Sequence, residues 1–246
     1  MLGFGHHGVP SFIPDVLPHY FNGVADFLTR EKGVEEVFEP QVGSVDSVQA
    51  RSGELGDFIV RQGRDVHIIA HSMGGLDARM AVRRPEVRRH VRSITTIGTP
   101  HAGSEVAQAI FNRQPLNGVE IPEAVVAFLK LFGPALRDLT TGHVPHIDDV
   151  LESDRHLEIA GDASEAPRQS PLFRFAAQFG HIVGPNDGVV SKKSATLQRP
   201  LFDTWPFDHA GEVGWDLTTP LPRQLPGAPH LPRYGAIIDR LRTLGA

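Results

Sequence analysis

The chain has 246 residues, 40% of them hydrophobic and 22% charged, which suits one sizeable α/β core and neither a disordered nor a membrane-spanning protein. Its 24 Lys+Arg against 29 Asp+Glu leave a net charge of -5, which argues against a nucleic-acid binder, because phosphate contacts need clustered positive charge. With no cysteine present, disulfides, thiolate metal sites and cysteine nucleophiles are excluded together.

Residues 1–23 are aromatic and rich in Gly and Pro, and they read as a loop leading into a helix over about 21–31, with Gly33 as its C-cap. They show neither the basic n-region nor the apolar h-region of a secretory signal, and the compartment stays open. Residues 34–38 alternate as a strand ended by Pro40, and Ser44 starts a long helix carrying Val45, Val48, Leu55 and Ile59 at helical spacing until Gly63 closes it. The β-branched run at 66–70 is of the kind buried in a parallel sheet, and a helix to about Arg84 follows it. The arginines at 83, 84, 88, 89 and 92 crowd the end of that helix and read as a solvated face. Residues 91–97 form the next strand. Short alternating strands and helices predict a doubly wound, mostly parallel α/β sheet with its site at the carboxyl ends of the strands.

From Ser104 to Asp149 the strand rhythm stops, and residues 104–150 read as a helical lid or cap within a single domain spanning 1–246. The segment EAVVAFLKLF, 123–132, is apolar on nearly all sides of a helix, so something must cover it, whether core or a greasy ligand. Phe128, Leu129 and Phe132 are its candidate substrate contacts. Sheet-like segments resume at 157–160 and 201–207, residues 220–232 are Pro-rich and irregular, and residues 234–244 close the chain as an amphipathic helix. No stretch approaches the roughly 20 apolar residues that a transmembrane helix needs.

Between the strand at 66–70 and its helix lies Ala70-His71-Ser72-Met73-Gly74, where the nucleophile-elbow pattern G-x-S-x-G belongs. The turn forces the serine into a strained backbone, so its neighbours two places away must be small. Gly74 and Ala70 satisfy that need. A serine hydroxyl needs a base to take its proton, and the base needs a carboxylate to fix its tautomer. In chain order Ser, Asp/Glu, His, only His209 and His230 lie beyond every candidate acid, and His209 follows a strand as such a base should. Asp187 in GPNDG and Asp162 in AGD compete for the acid, and spacing leaves them even. Either also suits a plain turn. Asp203 and Asp208 lie too near His209 in sequence to reach its ring from a separate loop.

The strings LGFG, YFNGV, AHSMGGLDAR, IGTPHAGS, PNDGVVS and DHAGEVGWDL, in that order, resemble the bacterial triacylglycerol lipases of the α/β-hydrolase superfamily, in particular the true-lipase group with the Pseudomonas and Burkholderia enzymes. The resemblance covers Met1 to about Leu217. It implies an α/β-hydrolase fold and a triad of Ser72, Asp187 and His209, the last within an H-x-x-E segment. An oxyanion hole needs two backbone N–H groups. Met73 supplies one, and the resemblance puts Met1 at the other, where the family has an early strand ending in His-Gly that this sequence lacks. A shortened start is therefore expected, with the first sheet strand missing.

Two departures from the family stand out. Members with a structural calcium take a ligand from an aspartate two residues after the histidine, and Gly211 offers no carboxylate. The family disulfide is impossible, with Ser191-Lys192-Lys193-Ser194 where such members have a cysteine. His6, His7, His143 and His146 lack zinc-ligand spacing, so no metal and no cofactor is expected. The sequence thus predicts a serine esterase or lipase acting on lipid esters through an acyl-enzyme, with the lid meeting a lipid–water interface. Acyl transfer or polyester hydrolysis on the same triad is the alternative, as is an impaired binding protein of the same fold.

Overall fold

The computed structural model describes residues 3–4, 20–43, 46–116, 118, 120–121, 123, 126, 133–163, 176–197, 200–216 and 222–243. Its centre is a parallel sheet of four strands in the order β3-β4-β5-β6, namely β3 (Val66–His71), β4 (Val91–Ile97), β5 (His156–Gly161) and β6 (Asp203–Trp205). A parallel pair, β1 (Gly3–Phe4) with β2 (Gln41–Val42), and an antiparallel pair, β7 (Trp215–Asp216) with β8 (Arg223–Gln224), lie outside it. The β1 strand falls in what the sequence presents as loop. Among the described residues β3 has a ladder on one side only, and a cleft of about 1090 Å³ runs beside it, lined by Val37, Phe38, Phe58, Ile68 and Ile238 among others.

Side chains of successive strand residues point to opposite faces, and the core divides accordingly. Ile69, Ile97, Leu157 and Ile159 meet Phe21, Phe179, Trp205 and Tyr234 on one face. Ile68, Ala70 and Ile94 meet Leu55, Ile59, Val82 and Val87 on the other. Helices Val24–Arg30 and Leu231–Thr243 serve the first face, and helix Val48–Gln62 serves the second. Among the described residues no helix is long and apolar enough to cross a membrane.

Three boundaries differ from the sequence reading. Helix Val48–Gln62 is capped by Ser47, whose hydroxyl accepts Ala50 N–H at 3.2 Å, so the later of the two serines starts it. Gly63 closes it with φ 64°, a backbone that glycine adopts without penalty. Residues 34–38 form no strand, and Glu35 stands in a bend. Val34 and Val37 lean on the core while Glu36 pairs with Arg64, and a loop lying on the core gives that alternation as readily as a ladder does. The helix after β3 is Met73–Ala81, and Pro85 then opens a separate turn, Pro85–Arg88. Met1, Phe128, Leu129 and Phe132 lie outside the described residues.

Two helices are fastened behind β3 by a buried ion pair. Arg51 Nε and Nη2 both reach Asp77 Oδ2, at 2.8 and 2.7 Å, while Nη1 donates to Gly43 O at 2.6 Å. Burial pushes the Asp77 carboxyl up to about 6, and the guanidinium only partly offsets it. Breaking such a pair from one side strands a buried charge. Arg51→Met is therefore expected to lower unfolding stability by about 3–5 kcal/mol in urea titrations, with Arg51→Met/Asp77→Leu recovering most of the loss. A single-variant loss below about 1 kcal/mol would contradict this reading.

Candidate active site

The carboxyl end of β3 turns sharply at Ser72 into helix Met73–Ala81. Ser72 takes φ 55° and ψ -133°, a conformation rare for any residue with a Cβ. Its N–H continues the ladder to Ile97 O at 2.9 Å. The helix lies so close to the loop after β4 that a Cβ on Gly75 would stand 2.1 Å from Thr99 Oγ1. Met73, fully buried, opens the helix, and its N–H belongs to the first turn, where no intrahelical acceptor exists.

Two loops bring the other groups to Ser72. After β6, His209 is buried with Nε2 2.9 Å from Ser72 Oγ and Nδ1 2.7 Å from Asp187 Oδ2. Its backbone N–H donates to Asp187 O at 3.0 Å, so the two loops are joined at main chain as well as side chain. Asp187 Oδ1 accepts Val189 N–H and Val190 N–H at 2.8 and 2.7 Å. The aspartate thus performs both the jobs its sequence suggests: it closes the turn through one oxygen and faces the imidazole through the other. Two backbone N–H groups and the imidazole thus converge on one carboxylate.

His230, the competing base, is buried elsewhere, with Nε2 2.8 Å from Asn22 O. Asp162 is also buried, but Nδ1 of His209 is taken by Asp187. Asp208 Oδ1 accepts Gly211 N–H, and Asp203 holds Trp205 Nε1 and Arg233. The arginine cluster is a solvated face laced with carboxylates: Arg84 with Asp57 and Glu86, Arg92 with Asp65, and Arg83 with Asp148.

A second layer escapes spacing arguments. Tyr20 Oη is 2.7 Å from His71 Nδ1, His71 Nε2 is 2.8 Å from Glu212 Oε2, and that same oxygen lies 3.5 Å from His209 Nδ1. The His71 and His209 rings are 4.4 Å apart between centroids. Burial, then Asp187 and Asp208, pushes the Glu212 carboxyl well above the carboxylate range, while burial and His209 hold His71 well below the usual imidazole value. Each residue sits inside a string already singled out (YFNGV, AHSMGG, H-x-x-E). Their mutual contacts span 51 and 141 residues and have no local signal.

Neither three-residue cluster of ligand-type side chains suits a cation. His71, His209 and Glu212 are committed to the bonds above. In His101, His156 and Glu158, His101 Nδ1 receives the Arg79 guanidinium at 3.2 Å and Nε2 meets Thr96 Oγ1 at 3.2 Å. A fixed positive charge on a ligand atom opposes metal binding. His143 bonds Thr140 Oγ1, and His146 sits beside Asp148. At the position of a family calcium ligand, Gly211 supplies only an N–H, to Asp208.

A parallel sheet with a strained serine at a strand-to-helix turn, and an imidazole between hydroxyl and carboxylate, defines the α/β-hydrolase class. The fold matches the mature Bacillus licheniformis lipase BlEst2 with a TM-score of 0.68 at 19% identity, over 96% of this chain and 90% of that one. Residues 59–119 match the PGAP1-like alpha/beta domain family. The triacylglycerol lipase of Vibrio cholerae is 33% identical over 248 residues, covering 84% of this chain and 77% of the relative. Triacylglycerol lipase 2 of Saccharomyces cerevisiae is 25% identical over 211 residues, covering 80% of this chain and 62% of the yeast protein. The chain belongs to the triacylglycerol lipase family and is a carboxylic ester hydrolase.

Gly161 ends β5 against this cluster, and a Cβ there would lie 2.4 Å from Glu212 Oε1 and 2.8 Å from Asp187 Cβ. Gly161→Ala is expected to displace both acids and lower ester hydrolysis by about 100-fold, the scale of a 1 Å misplacement. Unchanged kcat/KM in the folded variant would contradict this packing. Chelators are expected to leave the melting temperature unchanged, since a structural calcium would stabilise only the folded state. A drop with EDTA that calcium restores is the contrary result.

Proposed function

We propose that this lipase cleaves carboxylic esters of lipids, triacylglycerols among them, through an acyl-enzyme on Ser72. The observation that carries the reading is His209 standing 2.9 Å from Ser72 Oγ and 2.7 Å from Asp187 Oδ2 on opposite ring nitrogens. Ser72 Oγ attacks the ester carbonyl as His209 Nε2 takes its proton, and Asp187 holds the Nδ1–H tautomer and balances the imidazolium. The tetrahedral oxyanion faces the free N–H of Met73 at the helix start, where the macrodipole is positive. Met1 remains the second donor expected from the resemblance. His209 then protonates the leaving alcohol, and water repeats the cycle on the acyl-enzyme.

Residues 104–150 are read as a helical cap on one domain. Helix Glu105–Asn112 and the turn Gly133–Leu139 bury Val106, Ile110, Leu136 and Leu139, yet Phe111 stays 41% exposed. An exposed aromatic on that cap supports contact with a lipid–water interface, and Phe128, Leu129 and Phe132 in the same segment are the expected acyl-chain contacts. The shared strings favour the Pseudomonas and Burkholderia group, while Gly211 and the lack of cysteine separate this chain from its calcium- and disulfide-bearing members.

Ser72→Ala and His209→Ala are each expected to lower kcat on p-nitrophenyl esters by about 10⁴- to 10⁶-fold with the fold retained, because the triad acts as a unit. Asp187→Asn should lose about 10⁴-fold by inverting the imidazole tautomer. Asp162→Asn and His230→Asn should stay within tenfold. Loss through His230 with activity kept in His209→Ala would overturn the assignment. Comparing acyl lengths from short to long tests the lipid preference, and turnover confined to short acyl chains would contradict it.

A further inference from the structure

We infer that Glu212 stands in the resting site as a neutral carboxylic acid, donating its proton from Oε2 to His71 Nε2, so that Asp187 is the one anion on His209. His71 then carries its own proton on Nδ1 and donates it to Tyr20 Oη. Glu212, His71 and Tyr20 act as positioning residues. The inference rests on the triad proposed above.

Three features of the geometry carry it. The first is the inequality of the two carboxyls. Asp187 has three hydrogen bonds to its side-chain oxygens, from Val189 N–H, Val190 N–H and the imidazole. Glu212 has one, to His71, and its 3.5 Å to His209 Nδ1 is beyond hydrogen-bond range. One Nδ1–H serves one acceptor.

The second is the state of the other oxygen. Glu212 is fully buried, and its Oε1 has no hydrogen-bond partner among the described residues. A bare anionic oxygen in such a place is far costlier than a bare carbonyl oxygen. Placing the proton on Oε2 leaves Oε1 as the carbonyl, the cheaper of the two to leave unpaired.

The third is the surrounding charge. Glu212 is faced by the acids Asp187 and Asp208, by His71 and His209, and by Tyr234, whose hydroxyl donates to Glu212 O at 3.0 Å. Among the described residues no lysine or arginine forms an ion pair with it, and Arg51 acts on Tyr20 at the far end of the chain of bonds. A Cβ on Gly98 would stand 2.3 Å from Glu212 Oε2 and 3.1 Å from Asp187 Oδ2, so the two carboxyl oxygens crowd one glycine. Two buried carboxyls this close do not both ionise. The direction of the Glu212 and His71 shifts agrees with that outcome.

The consequence is a restrained charge balance. During acylation His209 becomes an imidazolium, and one buried anion stabilises it. A second would hold the proton more tightly and slow its delivery to the leaving alcohol. The neutral Glu212–His71–Tyr20 chain instead packs the imidazole by ring contact and keeps it in line with Ser72.

The test is isotope-edited infrared spectroscopy of the full chain with ¹³C-labelled glutamate. At neutral pH a protonated-carboxyl band that shifts with the label is expected, absent in Glu212→Gln and retained in Glu158→Gln. Glu212→Gln keeps the donor to His71 and is expected to hold kcat within about tenfold of the parent, whereas Glu212→Ala should fall by about 100-fold as the imidazole loses its support. The folded parent holds a proton that the unfolded chain releases in the ordinary carboxylate range. Its stability should therefore fall as the pH rises above that range, with a slope that Glu212→Gln removes. No glutamate carboxyl band, a band that survives Glu212→Gln, or a Gln variant as impaired as Ala would each overturn the inference. Undiminished turnover in Ser72→Ala would instead overturn the triad reading beneath it.

Discussion

The structure turns on one strained residue. Ser72 at φ 55° and ψ -133° is held in a backbone that costs on the order of 1–3 kcal/mol and persists only where the surroundings over-determine it. Here they do. The ladder from Ser72 N–H to Ile97 O fixes the entry, and the contact of Gly75 with Thr99 fixes the exit. The ion pair of Arg51 with Asp77 ties the following helix to its neighbour. The return is an oxygen displayed at the end of β3 directly beside the free N–H groups of a helix start.

The rest of the site is arranged around that oxygen by two later loops. Asp187, in the loop after helix Ala176–Val183, and His209, after β6, are stitched to each other through main chain before their side chains meet. Because the geometry is set by the backbone, the imidazole needs no reorganisation when charge develops. Glycines at the strand ends complete the arrangement: Gly98 after β4 and Gly161 at the end of β5 leave room for Glu212, where any side chain would collide with its carboxyl oxygens.

Much of this is legible in the sequence, for identifiable reasons. The β-branched run of β3, the small residues around Ser72 and the Asp-Gly turn at 187 are local requirements, and local requirements leave local signals. The centres of the four strands of the main sheet are legible on the same ground, while the two-residue strands β1, β2, β7 and β8 are too short to leave a pattern. Segment 34–38 is not a strand, since its alternation reflects one-sided burial of a loop that bends at Glu35. The cap of helix Val48–Gln62 slipped by three residues because two serines both suit the position. Placement after a strand favours His209 over His230, but only the resemblance separates Asp187 from Asp162, as both sit beside a glycine. The Tyr20–His71–Glu212 chain was beyond reach, because it depends on three distant segments converging in one buried space.

The central claim, that His209 and Asp187 make Ser72 the nucleophile, is tested most directly by stoichiometric reaction with a p-nitrophenyl phosphonate ester, which the activated oxygen attacks at phosphorus with release of p-nitrophenol. One p-nitrophenolate released per chain and a single adduct mapped by mass spectrometry to Ser72 are expected, with neither seen in His209→Ala. An adduct on another serine, or equal labelling of Ser72 without His209, would contradict it.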